Sequence, residues 1–317
     1  MNSVSEIRSI NRILLLIVSF GISVILGRLY ISGDQEVYSR VYEVIGSFEI
    51  KEAFQYYTKY LSSIEIVHFL VIWTLSNFIS KVLLFSLFNT FLSALIIRIF
   101  DSLKVNFLVT VSFVLSNFYL YVLFFSAERL KFGFIILLLG LSITFKGKIK
   151  NGLIAMSVFA HFQMILVIAP IFFQNIIRSL IRFFLTLRLN LPVLYIAFGL
   201  LSLLFVSDHL YTKFENYHRP TNAEDFLRIT VFFILTFWYT YRAQSPNNVF
   251  LIFIPLFCAV YLVGDERLNM IAYLYFLLAA LQYKKGLNFG ILISTIYFGV
   301  KTIFFIESIL RIGHGFG

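Results

Sequence analysis

The charged residues of this chain are few, and some of them fall in four short polar clusters that border apolar segments. Arginine guanidinium groups hold phosphate oxygens through paired hydrogen bonds, whereas a carboxylate or an imidazole can accept a proton from a sugar hydroxyl. Such groups at the edge of a membrane cavity suit an anionic, lipid-linked substrate. The clusters are Gly33-Asp34-Gln35-Glu36, Ala127-Glu128-Arg129, Glu215-Asn216-Tyr217-His218-Arg219 and Gly264-Asp265-Glu266-Arg267.

The composition of the rest of the chain indicates a membrane protein. Hydrophobic residues make up 60% and charged residues 13%, and the mean hydropathy is +0.89, whereas a water-soluble domain carries about a quarter charged residues. The apolar runs have lengths suited to helices crossing a ~30 Å hydrocarbon core, and none alternates with the period of a barrel strand. The sequence therefore predicts an all-α, polytopic integral membrane protein with about 10–12 hydrophobic helices.

The apolar segments are predicted to form one transmembrane domain over residues 1–317. The stretches around 32–63 and 207–225 are predicted outer loops, the first an amphipathic helix lying at the membrane interface. The first segment is too long for a signal-peptide core and is expected to be retained. The segments are Ile13–Ile31, Ile64–Phe78, Ile79–Phe100, Val105–Phe125, Leu130–Phe145, Gly152–Ile177, Leu191–Val206, Phe226–Tyr241, Val249–Val263, Leu268–Tyr283 and Leu287–Phe305.

The distribution of basic residues predicts the orientation of the helices. The net charge of +10 comes from short basic loops spread along the chain, which indicates cytoplasmic loops rather than a nucleic-acid surface. The loops 146–150 and 178–188 both read as cytoplasmic, so two short helices meeting near His161 are predicted between them. A broken or re-entrant helix is likewise predicted within Ile64–Phe100, where Glu65, His68, Asn77 and Lys81 interrupt the apolar run. This orientation gives the polar clusters a common outer face.

Motifs of several enzyme classes are absent from the sequence. The chain has no Walker loop, GxGxxG, HExxH or GxSxG motif, and no Asp-x-Asp pair of the kind that holds a divalent metal. The single cysteine, Cys258, lies in an apolar run and offers no disulfide framework. We therefore expect chemistry without ATP, metal or cofactor.

Several motifs resemble those of the EpsG-like, Wzy-type polysaccharide polymerases. The stretch Glu128–Phe134 is followed by Phe159-Ala160-His161-Phe162 and Pro170. This order is similar to a motif of that family in which an arginine opens a helix and a histidine follows about thirty residues later. Upstream, Gly33–Tyr38 and then Ser63-Ile64-Glu65 before Phe69–Lys81 are similar to its Gly-Asp…Tyr loop and glutamate-led helix. Glu266-Arg267 resembles the late arginine-bearing helix.

The resemblance implies a multi-pass enzyme of the bacterial plasma membrane. Such an enzyme joins oligosaccharide repeat units carried on undecaprenyl diphosphate, at the outer face, into O-antigen, capsule or exopolysaccharide. A lipid-linked donor, a lipid-linked acceptor, the bilayer, a flippase and a chain-length regulator are the implied partners, and no nucleic acid is implied. The departing diphosphate supplies the free energy, which agrees with the absence of an ATP motif.

Arg129 and Arg267 are predicted to bind the diphosphate, because a fixed cation stabilises charge on a leaving group. The alternative is that these helix-end arginines reach lipid headgroups or pair with the adjacent Glu128 and Glu266.

Asp34 and Glu65 are the predicted general bases, and His161 is a predicted catalytic residue. Loop capping or salt bridging is the alternative for the carboxylates, and helix packing as a neutral ring is the alternative for the histidine. The outer-loop residues Tyr217, His218 and Arg219 are predicted to contact the glycan, since aromatic faces with polar tips suit sugars; an ordinary ordered loop is the alternative.

Three other functional classes stay open. A flippase or transporter would share the helical, basic character but often shows internal duplication, and no internal repeat is seen in the sequence. A membrane O-acyltransferase uses a cytoplasmic acyl donor, which conflicts with outward-facing clusters. A ligase that transfers finished polymer shares the lipid-diphosphate donor and differs chiefly in its acceptor.

Overall fold

The protein is described here by a computed structural model that covers residues 2–142, 148–168, 182–186, 223–242, 247–263 and 266–315. The described residues form helices and connecting turns, with no strand among them, so the all-α prediction is confirmed for them. Besides short helical stretches at 164–168 and 182–186, the helices are α1 (Asn2–Leu29), α2 (Asp34–Ile45), α3 (Ile50–Leu61), α4 (Ile66–Leu75), α5 (Lys81–Ser102), α6 (Phe107–Ser116), α7 (Phe118–Tyr121), α8 (Glu128–Ser142), α9 (Lys148–Ala160), α10 (Ala223–Arg242), α11 (Asn247–Val263), α12 (Glu266–Leu281) and α13 (Phe289–Ile312).

Within the part of the chain that the structure describes, three helical spans are long and apolar enough to cross a membrane: Ser9–Leu29, Lys81–Ser102 and Tyr283–Ile312. A fourth candidate is the pair Phe107–Ser116 and Phe118–Ser126, which is bent by 50°. Large apolar side chains on the outside of α1, including Ile13, Ile17 and Ile25, are more than half exposed. An exposed apolar face of this kind is expected to contact lipid rather than water.

The chain divides into two compact units, one comprising residues 1–164 and 284–317 and the other residues 165–283. In the first unit, α1 packs along α5, and α8 packs along both α5 and α9. In the second unit, α10 packs against α11 and α12. The predictions of one transmembrane domain and of an outer loop around 32–63 stay predictions. The second predicted outer loop, around 207–225, lies outside the described residues as far as residue 222.

The segment predicted as one interfacial amphipathic helix contains two helices, α2 and α3. Gly33 precedes α2 with a φ of 68°, which a residue without a Cβ adopts readily, and acidic residues occupy the first turn. Helix α2 buries Gln35, Tyr38 and Tyr42 on one face, at the three- and four-residue spacing of an amphipathic helix. The aromatic face packs into the core of the first unit, together with Tyr57 from α3 and Phe132 from α8.

Helix breaks occur at the two places where the sequence predicts them. Residues 76–80 separate α4 from α5, so the run Ile64–Phe100 is divided. Helix α9 ends at Ala160, and helix resumes at residues 164–168 after a turn that begins with His161. The return of that second helix, at residues 169–181, lies outside the described residues.

The predicted span Val105–Phe125 is divided between α6 and α7, and the bent pair that begins there remains a candidate span. Asn117 leaves helical geometry and its side-chain oxygen accepts from the backbone N–H of Leu120 at 3.2 Å, which starts α7 as a new helix. A π turn at Val122–Ser126 follows and leads directly into α8. This turn sets the direction from which Glu128 and Arg129 enter the core.

Candidate functional site

Glu65 is presented by the turn that joins α3 to α4. Ser62 ends α3 with a φ of 47°, and the hydroxyl of Ser63 accepts a hydrogen bond from the backbone N–H of Glu65 at 3.3 Å. Glu65 stands at the N-cap of α4, yet its carboxylate makes no capping hydrogen bond. The side chain is therefore available to reach across the core to other helices.

Arg129 is the partner of that carboxylate. Its Nη1 donates to Glu65 Oε2 at 3.0 Å and to the carbonyl of Leu61 at 3.4 Å, and its Nε donates to the hydroxyl of Tyr38 at 2.9 Å. The remaining terminal nitrogen, Nη2, makes no hydrogen bond with the part of the chain that the structure describes. The guanidinium is thus fixed along one edge and keeps donors for an external anion.

His161 reaches the second oxygen of the same carboxylate. Its Nε2 lies 3.5 Å from Glu65 Oε1, and its Nδ1 accepts a hydrogen bond from the backbone N–H of Gln163 at 3.2 Å. Because Nδ1 acts as an acceptor, a neutral ring carries its proton on Nε2 and directs it toward Glu65. His161 therefore approaches the carboxylate oxygen that Arg129 does not bind.

Tyr38 completes a group of four side chains, which we name the Arg129 cluster: Tyr38, Glu65, Arg129 and His161. The guanidinium carbon of Arg129 lies 5.8 Å from the centre of the Tyr38 ring, within the range of a cation–π contact. Desolvation by burial raises the pKa of Tyr38 to about 12. Its hydroxyl therefore stays protonated near neutral pH, accepts from Arg129 and keeps its own proton to donate.

A second layer of buried polar groups supports the Arg129 cluster. The hydroxyl of Tyr57 lies 3.0 Å from His68 Nδ1 and 3.4 Å from Ser63 Oγ. The His68 ring in turn contacts the Tyr38 ring edge to face, with centroids 6.1 Å apart. Burial raises the pKa of the Tyr57 hydroxyl, so this group also remains a donor. These contacts support the turn that carries Glu65, through Ser63, and the ring of Tyr38, through His68.

Glu128 does not pair with Arg129, so that alternative from the sequence is wrong. Residues one apart on a helix point in different directions, and Glu128 Oε1 instead lies 3.4 Å from Lys81 Nζ. Lys81 also donates to Gln35 Oε1 at 2.7 Å and to Ser39 Oγ at 3.2 Å. The first two residues of α8 thus have different partners: Glu128 contacts Lys81, and Arg129 contacts Glu65 and Tyr38.

Lys131 stabilises the π turn from inside the core. The side chain is fully buried, and its Nζ donates to the carbonyl of Phe124 at 2.9 Å and lies 4.9 Å from the centre of the Phe85 ring. A π turn leaves carbonyls without regular helical partners, and the lysine satisfies one of them. We infer that Lys131 fixes the start of α8, and with it Glu128 and Arg129.

The predicted site residues have different outcomes. Glu65, Arg129 and His161 come together in one cluster, although their positions in the chain are far apart. Asp34 lies exposed at the start of α2, on the same helix as Tyr38 but outside the cluster. Arg267 lies in the first turn of α12, in the second unit. Tyr217, His218 and Arg219 lie outside the described residues.

Gly133 allows the His161 turn to approach α8 closely. A Cβ added at Gly133 would lie 2.6 Å from Met164 Cγ and 3.3 Å from His161 Cβ, both closer than ordinary packing distances. We predict that Gly133→Ala lowers the stability of the purified protein by about 1–3 kcal/mol, since the turn must shift. Thermal unfolding in detergent measures this. The matched control is Gly21→Ala, where an added Cβ meets nothing within 4 Å; an equal loss in both variants would contradict the packing argument.

The sequence analysis placed none of Tyr38, Lys81, Glu128 and Lys131 among the site residues, although each has a feature that could have indicated it. Lys81 and Lys131 are ionisable residues in strongly apolar surroundings, which is costly in lipid and indicates a partner. Tyr38 lies inside the motif that carries Asp34, one helical turn further along. Glu128 directly precedes Arg129. The signals mark these residues as unusual, but their partners depend on the packing of four helices.

Among the described residues, no group of three or more His, Cys, Asp or Glu side chains could hold a metal ion. The Arg129 cluster accordingly offers one fixed cation, one carboxylate and two groups that hold protons. No known protein family matches the chain, and comparisons with characterised proteins and with solved structures return no match.

Proposed function

We propose that this protein is a membrane glycosyltransferase that polymerises lipid-diphosphate-linked oligosaccharide repeat units. The observation that carries the proposal is the Arg129 cluster: a guanidinium with a free donor edge, beside a carboxylate that is itself held by a histidine. This arrangement combines a site for a diphosphate with a group that accepts a proton, which are the two requirements of the reaction. In this proposal the cluster faces the outer side of a bacterial plasma membrane.

The proposed reaction transfers the growing chain from its lipid carrier to the incoming unit. A hydroxyl oxygen of the acceptor sugar attacks the anomeric carbon of the donor, and a new glycosidic C–O bond forms. The bond from that carbon to the diphosphate oxygen breaks, and its electron pair leaves with undecaprenyl diphosphate. The proton of the attacking hydroxyl goes to a carboxylate base.

Arg129 has the geometry for the leaving group in this reaction. Its Nη1 and Nε are committed to Glu65 and Tyr38, which removes most of the side-chain entropy cost of aiming the guanidinium. Nη2 then donates to a diphosphate oxygen as negative charge develops there. The proposal that Arg267 binds a diphosphate rests on the sequence resemblance alone.

Glu65 is the proposed base. Each carboxylate oxygen has two lone-pair positions, so contacts with Arg129 and His161 leave Glu65 able to accept a hydroxyl proton. Asp34, exposed on α2, is the alternative base. His161 acts as a positioning residue, because both of its ring nitrogens already have contacts within the protein.

The proposal is tested with the glycan ladder of cells that lack the gene, before and after complementation with the wild-type protein. We expect loss of the ladder with survival of single-repeat products, and recovery of the ladder on complementation. A full ladder without the protein would contradict polymerase activity. Accumulation of long polymer that is not attached to its final acceptor would instead indicate a ligase.

A further inference from the structure

A cavity of about 700 Å³ lies in the first unit, between α1, α2, the N-terminal half of α5 and the π turn. Its volume falls in the range of small-molecule binding sites, about 300–1,000 Å³. Glu128 and Lys81 line it, whereas Glu65, Arg129 and His161 do not. The cavity is therefore distinct from the Arg129 cluster, although Glu128 and Arg129 are consecutive residues of α8.

Three buried polar atoms of cavity-lining residues have no hydrogen-bond partner in the described part of the chain: Asn89 Oδ1, Glu128 Oε2 and Ser76 Oγ. Asn89 and Glu128 are 1% and 4% exposed. The Asn89 amide nitrogen donates to Ser23 Oγ at 3.3 Å, which leaves its oxygen as an acceptor. Buried acceptors without donors are costly and rare in folded proteins. Two such acceptors, together with the Ser76 hydroxyl that can accept or donate, indicate a ligand of the cavity that supplies hydrogen-bond donors.

The charges around the cavity indicate a neutral ligand. Its ionisable lining residues are two cations and two anions, so the formal charge of the lining is balanced. Lys81, the buried cation, already has three oxygen partners on Gln35, Ser39 and Glu128. An ammonium group has three donors, so this lysine has none left for a phosphate. The ionisable residues are Arg28, Glu43, Lys81 and Glu128.

Aromatic side chains form much of the remaining lining. Tyr30, Tyr42, Phe85, Phe124 and Phe125 all border the cavity. Aromatic faces combined with a few polar groups are typical of sites that bind molecules with both apolar and hydroxyl-bearing surfaces. A sugar ring has both surfaces, since its C–H groups pack on aromatic rings while its hydroxyls donate.

We propose that this cavity binds a neutral, hydroxyl-bearing sugar, with Asn89, Glu128 and Ser76 accepting hydrogen bonds from hydroxyls that do not react. The sugar belongs to the acceptor glycan, an identification that rests on the proposed polymerase function. Sugar binding itself depends only on the lining of the cavity. In this arrangement the cavity holds the acceptor sugar, and the Arg129 cluster holds the leaving diphosphate.

The test is a binding measurement on the full-length protein in lipid nanodiscs. The probe is an oligosaccharide mixture released by mild acid from the surface glycan of the producing cells, with ligand-observed NMR and calorimetry as readouts. Asn89→Leu and Ser76→Ala are each expected to weaken binding about tenfold, because each removes one acceptor. Thr90→Val is the matched control, since Thr90 neighbours Asn89, bonds only the carbonyl of Ser86 within its own helix and does not line the cavity.

Weaker binding in Asn89→Leu and Ser76→Ala with wild-type binding in Thr90→Val supports the cavity as the sugar site. Equal binding in all variants, after size-exclusion and thermal checks of folding, overturns it. Absence of sugar binding in a protein that still restores the glycan ladder overturns the cavity site and leaves the polymerase proposal standing. Cavity-dependent binding in a protein that the ladder does not require supports the sugar site and overturns polymerisation.

Discussion

Replacement of Arg129 by alanine or lysine is expected to reduce polymer formation about 100-fold or more, because the guanidinium stabilises charge on the departing diphosphate. Lysine does not substitute, since Arg129 uses Nε for Tyr38 and Nη1 for Glu65 at the same time, and an ammonium group lacks this fork geometry. The glycan ladder of complemented cells measures the effect at matched protein levels. Arg40→Ala is the control, because Arg40 is an exposed arginine of α2 that pairs with Glu36.

A structural role for Arg129 would produce the same loss in a single variant, so a double variant separates the two explanations. Arg129→Ala leaves Glu65 buried without its cation, which costs about 3–5 kcal/mol. Replacing both partners, as Glu65→Leu with Arg129→Met, removes the uncompensated charge and is expected to recover much of the thermal stability. Polymer formation is expected to stay absent. Recovery of the ladder in the stable double variant would show that the pair serves only the fold.

Glu65→Gln is expected to lower polymer formation about 100-fold, since an amide cannot accept the hydroxyl proton. The structure also predicts a loss of stability in this variant. Arg129 Nη1 donates to one oxygen of the Glu65 carboxylate and His161 Nε2 lies 3.5 Å from the other, so the glutamine NH₂ group must face one of these two nitrogens. The unpaired contact is expected to cost about 1–3 kcal/mol of stability, measurable by thermal unfolding.

Glu36→Gln is the matched control for this substitution. Glu36 is exposed on α2 and pairs with Arg40 one helical turn away, so its loss changes neither the Arg129 cluster nor the cavity. A complete ladder in Glu65→Gln would exclude Glu65 as the base. Asp34→Asn would then be the next variant to measure in the same assay.

For the Arg129 cluster, the sequence predicted three of the four residues but not the contacts between them. Glu65, Arg129 and His161 were each predicted from residue type, position beside an apolar run and family resemblance. Their mutual contacts were not predicted, and Arg129 was considered with its sequence neighbour Glu128 as the alternative partner. The true partner lies 64 residues away in the chain. Sequence proximity was misleading here because consecutive helical residues face different sides.

The sequence by itself determined that apolar helices could lie in a membrane, that the fold is helical, and where two of the apolar runs are broken. These properties depend on local composition: apolar length decides what can cross a bilayer, and a polar residue such as His161 marks where an apolar run is interrupted. No break was predicted at Asn117, because a single polar residue in a long apolar run does not reveal its capping contact.

Only the tertiary structure decided which charges meet and where a cavity remains. Lys81 pairs with Glu128, and Asn89 lines the cavity without a partner for its side-chain oxygen. These outcomes depend on how α1, α2, α5 and α8 pack, and on the π turn that sets the start of α8. The physical reason is that a buried charge takes the partner that packing brings within hydrogen-bond distance, and that partner is set by contacts between distant segments of the chain.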